Sequence, residues 1–364
     1  MVSFLLLEPQ DGSGHVEVDR RSPGDAEELF RLYAEVFGHD LTEASRGRWR
    51  WQYLQNPETR PEGPDIWVAR DGGGLLGQYA SMPVRLWWGG REVRSSWGMD
   101  VFLRAQARGR GVGALLFDAW SGHVDVALGL GLTPSSYGLF KKLRYRDVGP
   151  VPFFRKVLDP AAVARRRLGR PLGTLAAAPL RVALAILQRR STRGVGAGRI
   201  EVRTIHGFGD EYDRLWERAR RSYSMCVRRD AAYLRWKYAD CPHRDYVLRE
   251  ARRQGELVGF AVSRHEDHRG LRLGWIVDAF ASAEDHEARA ALIGDALESF
   301  RAAGVARAQA FSLGAALAAD LRAAGFLPGP SPMQFCVRAR VPSDGVFEDS
   351  GAWHVVFGDS DMDR

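Results

Sequence analysis

The residues best placed to do chemistry are Arg108-Gly109-Arg110-Gly111-Val112-Gly113, set between two apolar runs. Trp97-Gly98-Met99-Asp100-Val101-Phe102-Leu103 before them reads as a strand, and Ala114-Leu115-Leu116-Phe117-Asp118-Ala119-Trp120 after them as a helix. Glycines let backbone approach a ligand closely. A helix N-terminus offers unpaired N–H groups and a positive dipole end. Arg108 and Arg110 add charge, so the loop suits a phosphorylated anion. The second candidate is Asp100, a carboxylate eight residues before Arg108 and a potential general base. Burial beside Trp97, Met99 and Phe102 is expected to raise its pKa toward a useful value.

Three phosphate loops compete for this pattern. A Walker-type loop needs Lys-Ser/Thr after the last glycine, and here Ala114-Leu115 follows. The dinucleotide pattern is formally met by Gly109, Gly111 and Ala114. It should, however, follow its strand at once and open a domain, whereas Arg104 to Arg108 intervene and the loop comes late.

The spacing Arg108-x-x-Gly111-x-Gly113 resembles the acyl-CoA loop of the GNAT superfamily, the acyl-CoA-dependent N-acyltransferases. A strand before, a helix after, then a strand at Val124–Leu130 and a further helix match that family's order. The resemblance covers residues 15–158 well and 199–341 weakly. It implies that Arg108, Gly109, Arg110, Gly111, Val112, Gly113 and Ala114 hold the diphosphate of CoA, with Arg104 nearby, and that the edge of Val101-Phe102-Leu103 pairs with the pantetheine arm. It further implies an N-acetyltransferase using acetyl-CoA as co-substrate. Such an enzyme moves the acetyl group directly, in a ternary complex, to a primary amine of a small molecule such as an amino sugar. Asp100 stands where some members, among them aminoglycoside acetyltransferases, carry an acid proposed as base.

The family's usual acid is a tyrosine five residues before a Gly-Phe phenylalanine. With Tyr145 at that phenylalanine, the acid position is Phe140, which donates no proton, and the Asn often found twelve residues before it is Thr133. Tyr137 and Ser136 lie on the same helix as potential substitutes. The alternative function is therefore a non-catalytic CoA-binding or scaffold protein with degenerate domains.

The elements that must position these residues occur twice. WQYLQNP from Trp51 returns as WKYADCP from Trp236, 185 residues on, and Trp97–Phe102 returns as Trp275–Phe280, 178 residues on. Three further matches in the same order predict a duplicated domain of about 140 residues. In the first copy the expected strands are Val16–Arg20, Asp65–Arg70, Gly77–Pro83, Glu92–Leu103, Val124–Leu130 and Val151–Val157. The expected helices are Ala26–Phe37, with Asp25 as N-cap and Gly38 as stop, a stretch through Trp49–Tyr53, the helix after the loop, and Ser135–Leu143. This is an α/β (α+β) fold of two such domains, each a mixed, mostly antiparallel twisted sheet flanked by helices. The expected organisation is an acyl-CoA-binding domain at 1–158, a basic, partly helical linker at 159–198, a degenerate copy at 199–341, and a C-terminal strand with an acidic tail at 342–364. Aligning Trp275 on Trp97 puts His286-Glu287-Ala288-Arg289-Ala290-Ala291 at the loop positions, without glycines, so the copy is expected to bind CoA poorly. Asp278 matches Asp100 there.

Hydrophobic residues at 45% and charged residues at 27% fit a soluble globular chain with a sizeable core. The net charge of +7 is too modest to single out a partner, and no nucleic-acid partner is expected. The linker arginines, from Arg165 to Arg193, suggest at most a weak membrane-surface contact. Cys226, Cys241 and Cys336 are unpaired in spacing, which argues against a disulfide framework or a zinc site and for a cytoplasmic protein. His15, His39 and His123 have no partner spacing. Trp51, Tyr53, Trp67, Tyr79, Trp87, Trp88 and Trp97 are expected to be mainly core. Asp359, Asp361 and Asp363 alternate near the end and are expected in a solvated tail.

Overall fold

The structure is a computed structural model that describes residues 16–21, 26–168, 200–340 and 345–363. His15, Asp25 and most of the basic linker lie outside the described residues. In chain order the first elements are β1 (Glu17–Arg20), α1 (Ala26–Phe37), α2 (Glu43–Tyr53), β2 (Ile66–Asp71), β3 (Gly74–Trp88), β4 (Arg91–Leu103), α3 (Val112–Ser121), β5 (Val126–Leu130), α4 (Pro134–Lys142), β6 (Arg146–Pro150), β7 (Phe153–Val157) and α5 (Pro160–Leu168). Then follow β8 (Glu201–Ile205), α6 (Glu211–Ala219), β9 (Met225–Val227), α7 (Ala231–Leu234), β10 (Val247–Arg253), β11 (Glu256–His268), β12 (Leu271–Ala281), α8 (His286–Ala302), β13 (Arg307–Leu313), α9 (Ala315–Ala323), β14 (Leu327–Gly329), β15 (Gln334–Ala339) and β16 (Trp353–Val356). The helical period of Leu29 and Leu32 gives α1 its buried stripe, and Gly38, at φ +76°, ends it. Thr42 caps α2 by accepting from Ser45 N, and Thr133 caps α4 by accepting from Ser136 N.

Compactness divides the chain into two interleaved units. The first comprises residues 1–85, 93–147 and 335–344, the second residues 86–92, 148–334 and 345–364. The strand run 153–157, last of the first copy in sequence, thus counts with the second unit, and β15 counts with the first.

In the first unit β1, β2, β3 and β4 are neighbours in order, with antiparallel ladders from β1 to β2 and β2 to β3. β5 runs parallel to β4, and β15 adds antiparallel to β5 with Cys336 opposite Gly129. The core lies between this sheet and α3, built from Trp67, Tyr79, Leu116, Phe117, Trp120, Phe140 and Tyr145. Burying several large aromatic rings side by side gives dense, directional packing.

The second unit repeats the order. β8, β10, β11 and β12 form antiparallel ladders, β13 runs parallel to β12, and β7 pairs antiparallel with β13. β7 thus holds in this unit the place that β15 holds in the other. Leu292, Ile293, Phe300 and Leu321 pack here with Phe154 from β7. The aromatic residues singled out in sequence are core: Trp51, Tyr53, Trp67, Tyr79, Trp87 and Trp97 are buried, and Trp88 is half-buried.

Candidate functional site

In the first unit β4 and β5 stay paired only from Ser95 opposite Val126 to Trp97 opposite Leu128. Beyond that point the two parallel strands part. Among the described residues no strand pairs with Gly98–Leu103 on that side, so β4 offers backbone N–H and C=O groups along an open edge. Val101, Phe102 and Leu103 are half-buried on this stretch.

The strand then leads through the short helical turn Ala105–Ala107, whose buried Ala107 anchors it to the core, into the glycine loop. Gly111 is the N-cap of α3 at φ +79°, and Gly109 sits at φ +78°. Both angles are left-handed and favour glycine. A Cβ at either position would meet nothing within 4 Å, so the loop is open toward solvent. No side chain caps α3, and no acid lies in its first turn. Its N–H groups and dipole are left for an anion. Val112 is buried beneath the loop, while Gly113 and Ala114 are half-buried. Of the arginines, Arg104 is bound to Glu35 at 2.5 Å and Arg110 lies 3.9 Å from Asp71. Arg108 is exposed and makes no ion pair among the described residues.

Asp100 sits at φ +44°, a left-handed angle that few residues other than glycine adopt, asparagine and aspartate among them. Backbone strain of this kind persists only where surrounding contacts fix it. Here the phenol of Tyr53 donates to Asp100 Oδ2 at 2.6 Å, and the Gln78 amide donates to the Asp100 carbonyl at 3.1 Å. The carboxylate is half-buried and held from α2. The sequence shows Tyr53 only as a core aromatic and gives Gln78 no role. The signal was present in the repeat, since the tyrosine and the aspartate recur together as Tyr238 and Asp278.

The family model for an acetyltransferase (GNAT) domain matches residues 17–146. This stretch contains the loop, the open edge and Asp100. Residues 17–146 carry a GNAT domain. Among curated proteins no relative matches the sequence. Solved structures match almost the whole chain. A GCN5-related N-acetyltransferase from Anabaena variabilis aligns with a TM-score of 0.61 at 12% identity, over 89% of this chain and 72% of that one. One from Kribbella flavida aligns at 0.54 and 14%, over 89% and 71%. The N-myristoyltransferase of Saccharomyces cerevisiae, solved with bound myristoyl-CoA, aligns at 0.54 and 13%, over 92% and 85%. At these identities the likeness is one of fold.

Within the GNAT domain the position expected for the acid is filled by packing. Phe140 is buried against Phe117 and Tyr145, and a Cβ on Gly129 would come within 2.3 Å of its ring. The Tyr137 hydroxyl is bound to Asp147, and Thr133 and Ser136 are spent on the cap of α4. His123 packs edge-on against Trp67. Burial, with Arg60, Arg20 and Arg340 adding to it, lowers its pKa to about 4 and keeps it neutral.

The second unit fills, with its own side chains, the positions that stay open in the GNAT domain. Residues His286–Ala291 are the first turns of α8 and not a loop, which corrects the alignment made from sequence. The true counterpart is the four-residue connection 282–285, against eight residues, 104–111, before α3. Asp285 caps α8 by accepting from Ala288 N and is itself gripped by Arg253 at 2.7 Å. The buried Arg289 guanidinium binds the carbonyls of Ser282 and Ala283 and the carboxylate of Asp320. Asp278, buried, accepts from Tyr238 at 2.9 Å and from Arg229 at 3.1 Å.

The C-terminal tail completes the seal and corrects a second expectation, that of a solvated tail. Past Ala310, β13 leaves β12 and pairs with β16, and Phe357 stacks on Trp275 at 4.6 Å. Asp359, fully buried, binds Arg229 at 2.8 Å, and Asp363 binds Arg264.

Proposed function

We propose that the GNAT domain is a CoA-dependent N-acetyltransferase that moves the acetyl group of acetyl-CoA to a primary amine of a small molecule, in a ternary complex. The observation that carries this reading is the uncapped, glycine-lined start of α3 at the end of the open β4 edge. The diphosphate lies on the loop from Arg108 to Ala114, and the pantetheine amides pair with Val101–Leu103.

Asp100 is the base in this reading. The amine nitrogen attacks the thioester carbonyl carbon, a C–N bond forms and the C–S bond breaks. The nitrogen's proton passes to Asp100, and the CoA thiolate leaves to be protonated by solvent, since Phe140 donates nothing. The strained φ of Asp100 and its hold by Tyr53 support a fixed carboxylate at that point. The second unit binds no CoA in this reading and braces the chain.

Phe140 favours one other reading, a CoA-binding protein without turnover. Thiol release from acetyl-CoA against a panel of amines, amino sugars included, separates the two. Turnover that Asp100→Asn abolishes supports the first. Tight CoA binding with no turnover, unchanged by Asp100→Asn, overturns it.

A cytoplasmic location belongs to the proposal and rests on three free thiols. No helix of the described residues is long and apolar enough to cross a membrane. A weak contact between the basic linker and an anionic membrane surface is tested by vesicle sedimentation with and without residues 165–193.

A further inference from the structure

The left-handed backbone at Asp100 resets the side-chain alternation of β4. Before it, Ser96 faces α3, accepting from Trp120 Nε1 at 2.7 Å, and Met99 faces α2, where Gln52 reaches it. After it, Val101 and Leu103 pack into the α3 core. Asp100 reaches Tyr53 of α2, and Phe102 meets Tyr33 and Phe37 of α1. The acid and Phe102 therefore face the same side, that of α1 and α2, two residues or about 7 Å apart along the strand.

That side carries an aromatic shelf. Tyr33 and Phe37, one helical turn apart, have ring centroids 4.5 Å from each other. They lie 5.9 and 5.4 Å from Phe102, and His39 adds an edge to Tyr33 at 5.7 Å. Phe37 is 49% exposed, and Leu54, next to Tyr53, is 36% exposed. Among the described residues of the first unit, no other large hydrophobic side chain is as open. Exposed aromatic surface beside a reactive group marks a contact surface.

The charges around the shelf narrow its occupant. Of the carboxylates along α1 and at the start of α2, Glu27, Glu28, Glu35 and Glu43 are bound to Arg46, Arg21, Arg104 and Arg50 at 2.8, 2.6, 2.5 and 2.9 Å, which leaves Asp40, exposed next to His39, as the one acid there without an ion pair among the described residues. A polyamine or a multiply charged amino sugar needs several free carboxylates. An amine with one nitrogen and a ring-sized apolar body needs one carboxylate and a flat hydrophobic surface.

We propose that the acceptor is a monoamine with an aromatic or bulky apolar body, which lies on Phe37, Tyr33 and Phe102 and directs its nitrogen at Asp100. This rests on the acyl-transfer reading above. The shelf lies on the face of β4 to which Asp100 points, which assigns it to the acceptor before the acyl chain.

The test uses the full chain, acetyl-CoA, and three probes: phenethylamine, spermidine and glucosamine. The expected result is a kcat/KM for phenethylamine at least about tenfold above the other two. Phe37→Ala is expected to raise its KM about tenfold, with kcat and melting temperature unchanged, and Phe37→Leu to recover part of the loss. Preference for spermidine or glucosamine overturns the proposal. So does a Phe37→Ala variant that melts lower with every KM unchanged, since Phe37 then packs against protein and not against the amine. A Phe37→Ala effect that follows acyl-chain length and ignores the amine assigns the shelf to the acyl group and overturns it as well. Calorimetry with phenethylamine and CoA separates the two layers. Binding that Phe37→Ala removes, without any turnover, keeps the shelf and sinks the catalytic reading, whereas absence of binding sinks the shelf.

Discussion

Tyr53 with Asp100 and Tyr238 with Asp278 are the same pair in two settings. The hydrogen bond is nearly the same, 2.6 Å in one and 2.9 Å in the other. The surroundings differ. Asp100 is half-buried at a left-handed φ beside a strand edge that no described strand pairs, while Asp278 is buried under Arg229, with Asp359 on the guanidinium's other end. The two helix starts differ in the same sense. α3 begins at a bare glycine, and α8 begins at Asp285, a carboxylate already fixed to the helix. One scaffold thus leaves its helix start and its acid accessible, and the other fills both places with its own side chains. The tyrosine–aspartate pair is therefore a property of the scaffold, and whether it can do chemistry depends on what lies beside it.

The strongest way to break this comparison is to unseal the closed copy. Arg229 is fully buried between two carboxylates. Arg229→Ala leaves both without a counter-charge, at a cost of about 3–5 kcal/mol. Chemical denaturation reads the loss. A change below about 1 kcal/mol means that water reaches Asp278 and that the copy is not sealed.

Asp359 gives the same point a pH dependence. Burial raises its pKa to about 6 from 3.8, against the pull of Arg229. A carboxyl whose folded pKa is raised contributes stability in full below the unfolded value and loses it as pH rises through the folded value. Between about pH 4 and 6 the native chain therefore loses stability relative to Asp359→Asn, by roughly 3 kcal/mol at most for a shift of about two units. Melting curves of both proteins from pH 4 to 8 should diverge across that window and run parallel above it. Parallel curves throughout place the Asp359 carboxylate in water.

Catalysis sharpens the comparison from the open side. Asp100→Asn is expected to lower kcat at least about a hundredfold with CoA affinity unchanged, the usual scale for a lost general base. Asp278→Asn is expected to lower stability and leave kcat alone. Equal kinetic effects of the two substitutions would mean that the pair braces the sheet in both copies and that the base lies elsewhere.

What was legible in the sequence follows from how local each signal is. α1 lies over Ala26–Phe37 as its periodicity predicts, and two of the three loop glycines, Gly109 and Gly111, sit at the positive φ angles that their type suggests. Partners far along the chain left no such trace. Tyr53 lies 47 residues from Asp100, and the arginines that draw the tail inward lie 130 residues from Asp359 and 99 from Asp363. Alternating aspartates with no visible counter-charge read as solvated. The run Phe153–Val157 has the pattern of a closing strand whichever sheet it joins, so its pairing with β13 instead of β5 could not be read from it.

The smallest effect tests the helix starts by exchanging them. Gly111→Asp places a carboxylate where α8 keeps Asp285. Aspartate tolerates the left-handed angle at some strain, and Gly111→Asn carries the same strain without charge. If the bare start of α3 holds a diphosphate, the aspartate variant should bind CoA about tenfold or more weaker by calorimetry, and the asparagine variant less than about threefold weaker. Equal losses would make backbone strain the cause and remove the anion argument. In the reverse exchange, Asp285→Ala should cost about 1 kcal/mol as a lost cap and gain no CoA binding. The connection 282–285 stays half the length of the loop before α3, and Arg289 still ties down the carbonyls of Ser282 and Ala283. An anion site of the proposed kind needs an open backbone as well as an uncapped helix, and among the described residues of the two copies the first unit supplies both while α8 supplies neither.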